Sequence, residues 1–210
     1  MKTIYFVRHG QTQFNLENRL QGWNDSPLSS RGEAQVQKVA QSLAPLGIQR
    51  AWVSPLGRAR QTASIIQDAL CIEIEPVDEL REVSFGAFEG NTLDELRKKF
   101  PGQWEKRQAD KWNYRPPEGE ANKDAVPRAQ NVVSRIENWP PSDPLLIVAH
   151  FAINRIVLSL LAGLTPDETV EMNVAHCTIY RATQQNSHWT LSYKDAESPY
   201  DDFQEGWLRQ

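Results

Sequence analysis

The chain has 210 residues, a length that suits one domain and can bury a sizeable core without staples. Hydrophobic residues make up 40% and charged residues 24%, which excludes a disordered or fibrous chain. A net charge of −4 argues against a general nucleic-acid binder, whose phosphate contacts need a strong basic field.

Cys71 and Cys177 stand far apart with no partner motif, so neither a disulfide framework nor a zinc site is expected. The N-terminal apolar run breaks at Arg8, and a later one around 156–164 carries Ser159 and ends at Gly163. Both are too short to cross a membrane, so a cytoplasmic protein without a membrane anchor is expected.

Strand and helix patterns alternate along the chain. Residues 3–7 (TIYFV) read as a buried central strand. Ser30 and Glu33 have capping-box spacing before Ala34, Val36, Val39, Ala40 and Leu43, and Pro45 and Gly47 close that helix. Residues 51–54 read as a second strand, followed by a helix carrying Ala59, Ala63, Ile66 and Leu70, then a weaker strand over 72–77. Thr92 and Glu95 form another capping box, and Pro101-Gly102 interrupts that helix. Beyond the turn-rich 116–120, a helix carries Ala125, Ala129, Val132, Val133 and Ile136. Residues 145–149 (LLIVA) form a buried strand ahead of His150, and a helix runs from about 151 to Gly163. Thr165-Pro166 opens a short helix, and two β-rich runs, 178–182 and 189–193, suggest a closing hairpin.

This alternation predicts an α/β fold, a three-layer α/β/α sandwich around a mostly parallel sheet. Ligands of such sheets bind where strands end and helices begin. Those places hold Arg8-His9-Gly10, Ser54 to Arg58, and His150, and a Gly-flanked segment nearby carries Glu82. Arginine forks grip phosphate oxygens, and helix N-termini offer free N–H groups to an anion. A neutral imidazole can attack phosphorus, and a glutamic acid can protonate a leaving alkoxide. Together these residues make a phosphoryl-transfer kit that needs no metal or other cofactor.

The stretches FVRHGQTQFNLENRLQGWNDSPLSSRGEAQ, SPLGRARQTA, LREVSFGAFEG, PPEGE and LLIVAH carry a resemblance. The sequence resembles the histidine phosphatase superfamily, in its phosphoglycerate mutase-like branch, from residue 4 to about residue 155, and the closing strands also fit. Position by position, the resemblance implies that His9 becomes a phosphohistidine. Arg8, Arg58 and His150 would form the phosphate pocket, with Asn15 as an added donor. Glu82 would protonate the leaving oxygen and then deprotonate water. Gln21 and Gly22 would line the substrate side. The fold implied is one domain over residues 1–210, with a small helical cap at about 91–125.

Phe151 departs from the family pattern, in which a small residue follows the second histidine. Its ring is expected either to pack away or to narrow the site. Arg60 and Arg81 read as surface ion-pairing residues, and Glu118 and Glu120 as part of a solvated turn. His176 and His188 read as non-catalytic, because neither sits at the expected active edge. The segment 97–115 holds seven basic and two acidic residues, and either steers anions into the pocket or is a solvated face.

The reading preferred is a phosphomonoesterase acting on a small phosphorylated metabolite. A bisphosphoglycerate-dependent phosphoglycerate mutase and an inactive phosphate-ester binding module are the alternatives. The moderate stretch between Glu82 and His150, and the short tail, favour hydrolysis, because a short cap admits water. A monomer and a homodimer both remain open.

Overall fold

The computed structural model describes residues 1–198 and 202–209. Its centre is a seven-stranded sheet in the order β3-β2-β4-β1-β5-β6-β7. The strands are β1 (Lys2–Arg8), β2 (Arg50–Val53), β3 (Glu73–Pro76), β4 (Leu145–Ala149), β5 (Thr178–Gln185), β6 (His188–Asp195) and β7 (Gln204–Glu205). The first four are mutually parallel, and β5, β6 and β7 add antiparallel to one side.

The helices are α1 (Gln13–Leu16), α2 (Ser30–Leu43), α3 (Gly57–Leu70), α4 (Leu93–Lys99), α5 (Gln103–Ala109), α6 (Val126–Glu137), α7 (Phe151–Ala162) and α8 (Pro166–Glu171). Alternation along the central strands builds two cores. Ile4, Phe6, Leu145, Ile147 and Ala149 meet residues of α6 and α7 on one face. Tyr5, Val7, Leu146 and Val148 meet residues of α2 and α3 on the other. All five residues of β4 are buried, and burial of each large aliphatic side chain is worth about 1.5–3 kcal/mol. The expected three-layer sandwich is therefore what forms.

Local differences have physical causes. Ser29, not Ser30, caps α2: its backbone is extended (φ −78°, ψ 161°) and its hydroxyl accepts from Gly32 N–H. Adjacent serines offer the same chemistry, and the backbone turn selects between them. Both strands of the closing hairpin run longer than the β-rich cores suggest, because cross-strand pairing carries polar Gln184 and Gln185 along. The two-residue β7 pairs with Ser192 and Tyr193 and carries no pattern of its own. Among the described residues, no helix is long and apolar enough to cross a membrane.

Candidate active site

Backbone hydrogen bonds stitch the parallel strand ends into one edge. His9 N–H donates to Ala149 O (3.0 Å), and Ser54 N–H donates to Val148 O (3.0 Å). Asn154, buried on α7, donates to Val7 O at 2.9 Å. Arg8, His9, Ser54 and His150 thus sit on a rigid frame.

The His9 ring is buried and 5.2 Å from that of His150. Its Nδ1 lies 2.8 Å from Gly10 O, so Nδ1 carries the proton and Nε2 keeps its lone pair. Burial, then the nearby Arg8 and Arg58 guanidinium groups, hold His9 well below the usual imidazole range. His150 is fully buried, and its Nε2 shares a 2.7 Å hydrogen bond with Ser54 Oγ. Burial and the same two arginines depress it too, so the second histidine is a neutral group here.

Arg58 is 1% exposed and held from the other side of the cleft. Its guanidinium donates to Gly22 O (2.7 Å), Asn24 O (3.0 Å) and Asp25 Oδ1 (2.9 Å). Gly22 has φ +56°, and a Cβ there would collide with the Glu89 carboxylate, so glycine is required. Asp25 also accepts the N–H groups of Gly57 and Arg58, the first turn of α3. Glu82 does the same at α7, accepting from Ala152 N–H (3.1 Å) and Ile153 N–H (3.2 Å), as well as from Val83 N–H (2.9 Å). The helix N-termini expected to be free for an anion are therefore occupied by carboxylates.

Glu82 is fixed through its backbone. Arg128 of α6 donates to Glu79 O (2.8 Å), Arg81 O and Glu82 O (3.1 Å), and Trp23 Nε1–H donates to Glu82 O (2.8 Å). Glu120 pairs with Arg128 at 3.2 Å and accepts from Ser84 N–H, so it braces this segment instead of lying in a solvated turn.

A cavity of about 390 Å³ opens over His9. Its lining brings together Arg8, His9, Asn15, Gln21, Gly22, Arg58, Glu82 and Phe151; His150 lies behind it and is not part of the lining. The Phe151 ring does not pack away: it borders the cavity, 5.2 Å from the Arg8 guanidinium carbon and 5.0 Å from that of Arg155.

Sequence reasoning missed several residues. Arg155, on α7, is 3% exposed and lines the cavity. Arg107, on α5, lines it too, with its guanidinium 4.8 Å from the Phe85 ring and 5.2 Å from the Trp104 ring. Burial lowers the pKa of each guanidinium to about 10, against the opposing attraction of Glu82. Of the seven basic residues in 97–115, Arg107 and Lys111 border the cavity, whereas Lys98 and Lys106 are exposed away from it and Lys99 is tied to Asn91 at 2.6 Å. His176 stands at the active edge after all, with Nδ1 2.7 Å from His9 O and its ring 5.5 Å from the His9 ring. His188 is exposed in the distal hairpin.

The sequence profile described as histidine phosphatase superfamily (branch 1) matches residues 4–196. A relative from Erwinia tasmaniensis, named "Probable phosphoglycerate mutase GpmB", is 34% identical over 91% of this chain and 89% of its own. Among solved structures, Bacillus stearothermophilus YhfR superposes with a TM-score of 0.81 at 27% identity, covering 90% of this chain and 94% of its own. The alpha-ribazole phosphatase from Shigella flexneri superposes with a TM-score of 0.85 at 22% identity, covering 92% and 96%, and shares the fold. With the profile spanning almost the whole chain and the fold shared, this protein belongs to the histidine phosphatase superfamily.

Proposed function

We propose that the protein is a phosphomonoesterase that passes the phosphoryl group of a small metabolite first to His9 and then to water. The observation that carries this reading is the state of His9. Its neutral ring has Nδ1 committed to Gly10 O, leaving Nε2 as the nucleophile, in a cavity that also presents Arg8, Arg58 and Glu82.

In the first step the Nε2 lone pair forms a bond to phosphorus. The ester P–O bond breaks, its electron pair goes to the leaving oxygen, and that oxygen takes the proton of the Glu82 carboxyl. Arg8 and Arg58 hold the equatorial oxygens in place, and Asn15 supplies a neutral donor, with His150 buried behind them against Ser54. In the second step water attacks phosphorus and gives its proton back to Glu82, and the P–N pair returns to Nε2. General acid–base assistance of this kind contributes about 10²–10⁴-fold.

The cavity lining also speaks to the substrate's body. A phosphoryl group at His9 engages Arg8 and Arg58, whereas Arg107 and Arg155 line the same cavity with no ion pair among the described residues, and partly desolvated cations favour a counter-charge. The substrate class is therefore a phosphomonoester with a second anionic group, under a cap formed by residues 91–125.

A second reading, the mutase, is favoured by the names of the curated relatives. Phosphate release across a panel of phosphomonoesters, alongside a 3-phosphoglycerate isomerisation assay with and without bisphosphate primer, separates the two. Release without isomerisation is the expected result. Primer-dependent isomerisation without release selects the mutase.

A further inference from the structure

We propose that His176 and Thr62 are positioning residues that clamp the His9–Gly10 peptide and so hold His9 in its reactive tautomer. The inference rests on His9 being the nucleophile.

The tautomer depends on one contact, His9 Nδ1 to Gly10 O at 2.8 Å. Gly10 O belongs to the next peptide, and its position beside the ring is set by the orientation of the peptide joining the two residues. Both polar atoms of this peptide are held by side chains from distant parts of the chain. Its carbonyl oxygen lies 2.7 Å from His176 Nδ1, which must be the protonated nitrogen because a carbonyl only accepts. Its N–H donates to Thr62 Oγ1 at 3.0 Å, and the Thr62 hydroxyl proton goes in turn to Arg58 O at 2.8 Å. The polarity is consistent at every link, and Thr62 is 1% exposed, so water does not compete there.

The neighbourhood of His176 is built for this contact. Cys177, immediately after it, takes a left-handed backbone (φ +65°), a conformation a side chain rarely adopts, and its carbonyl is anchored by Ala196 N–H at 2.9 Å. Two residues before it, Val174 O accepts from Arg8 at 3.4 Å, so one segment touches both Arg8 and His9. Burial, then Arg8, lower the pKa of His176 to about 3, against the favourable contact with His9 O, so it acts as a neutral donor and adds no charge beside the phosphate site. The groups that face His176 are Arg8 and His9.

The test pairs donor-deleting variants with conservative ones. His176→Phe and Thr62→Val remove the two contacts; His176→Asn and Thr62→Ser keep a group able to make them. Each deletion is expected to lower kcat about ten-fold or more with KM changed less than about two-fold, and each conservative variant to recover most of the loss. Nitrogen-15 NMR of the His9 ring supplies a readout that loss of stability alone does not move. The wild type shows only the Nδ1-protonated tautomer, and the deletions show a mixture. Because both residues act on one peptide, the double deletion costs less than the product of the singles. An unchanged tautomer in folded His176→Phe or Thr62→Val overturns the clamp, as does full kcat in either. If a deletion fails to fold, Thr62→Ser and His176→Asn still decide: a tautomer mixture in both, with His9 contacts that should have been kept, contradicts the account. Failure of the wild type to release phosphate would instead count against the reading of His9, whatever the tautomer shows.

Discussion

Both oxygens of Glu82 lie 3.1 Å from the backbone nitrogen of Ala152, so a carboxylate that lines the cavity is also the N-terminal cap of α7. The proposed acid and this structural cap are one side chain, and the two duties can be separated. Glu82→Gln keeps an oxygen that can accept from Ala152 and Ile153 but has no proton to give a leaving group. It should lower kcat on alkyl phosphates by about 10²-fold or more while leaving Tm nearly unchanged. Aryl phosphates, whose leaving oxygens need no proton, should lose less. Equal losses on both ester classes would contradict the assignment.

Arg155→Met and Arg107→Met test the second anionic group. Losing one charge-assisted contact costs about 1.5–3 kcal/mol, or roughly ten-fold to a hundred-fold in KM. That rise should appear for phosphorylated carboxylic acids and bisphosphates and not for phosphate esters with neutral bodies. Equal shifts for both, measured by phosphate release, would contradict the substrate class.

Asp25→Asn tests the support of Arg58. The carboxylate balances a guanidinium that is 1% exposed and accepts two N–H groups of α3. Its removal leaves a buried cation unpaired, which should cost about 2 kcal/mol of stability in urea unfolding and raise KM for every phosphate ester. Unchanged stability and KM would show that the backbone carbonyls of Gly22 and Asn24 suffice.

Acid should destabilise the protein in a specific window. His9, His150 and His176 all have folded-state values below the ordinary 6.5 because burial disfavours their charged forms. Above pH 6.5 both folded and unfolded chains keep these rings neutral, and no penalty arises. Below it the unfolded chain takes up protons that the folded one refuses, so stability falls as pH falls, by about 1.4 kcal/mol per pH unit for each ring. For His176 the loss continues down to about pH 3. Urea unfolding between pH 6.5 and 4 should show a shallower fall for His176→Asn than for the wild type. Identical slopes would contradict the assignment.

The fold was largely legible because β1 and β4 carry compact apolar runs and the helices carry their own caps, all of which are local signals. Motif spacing marked Arg8, His9, Arg58 and His150 at strand ends and Glu82 in its Gly-flanked segment, and the structure brings Arg8, His9, Arg58 and Glu82 to one cavity. Arg155 was hidden inside an amphipathic helix pattern, where a lone arginine reads as a surface residue, although it stands one turn after Phe151. Arg107 was one of seven basic residues in a short segment, and only the fold says which of them faces inward. Asp25 and His176 act across long stretches of chain: Asp25 meets Arg58 33 residues on, and His176 meets His9 167 residues back. No local spacing encodes such contacts. The helix N-termini at Gly57 and Phe151 looked free because their carboxylate caps come from elsewhere in the sequence.

The most direct test of the central claim is to trap the phosphoenzyme. Incubation with a ³²P-labelled phosphomonoester and rapid denaturation should yield a label that is stable in base, lost in acid and located on His9. His9→Ala should carry none. A label that persists in His9→Ala, or one that maps to another residue, would contradict the account.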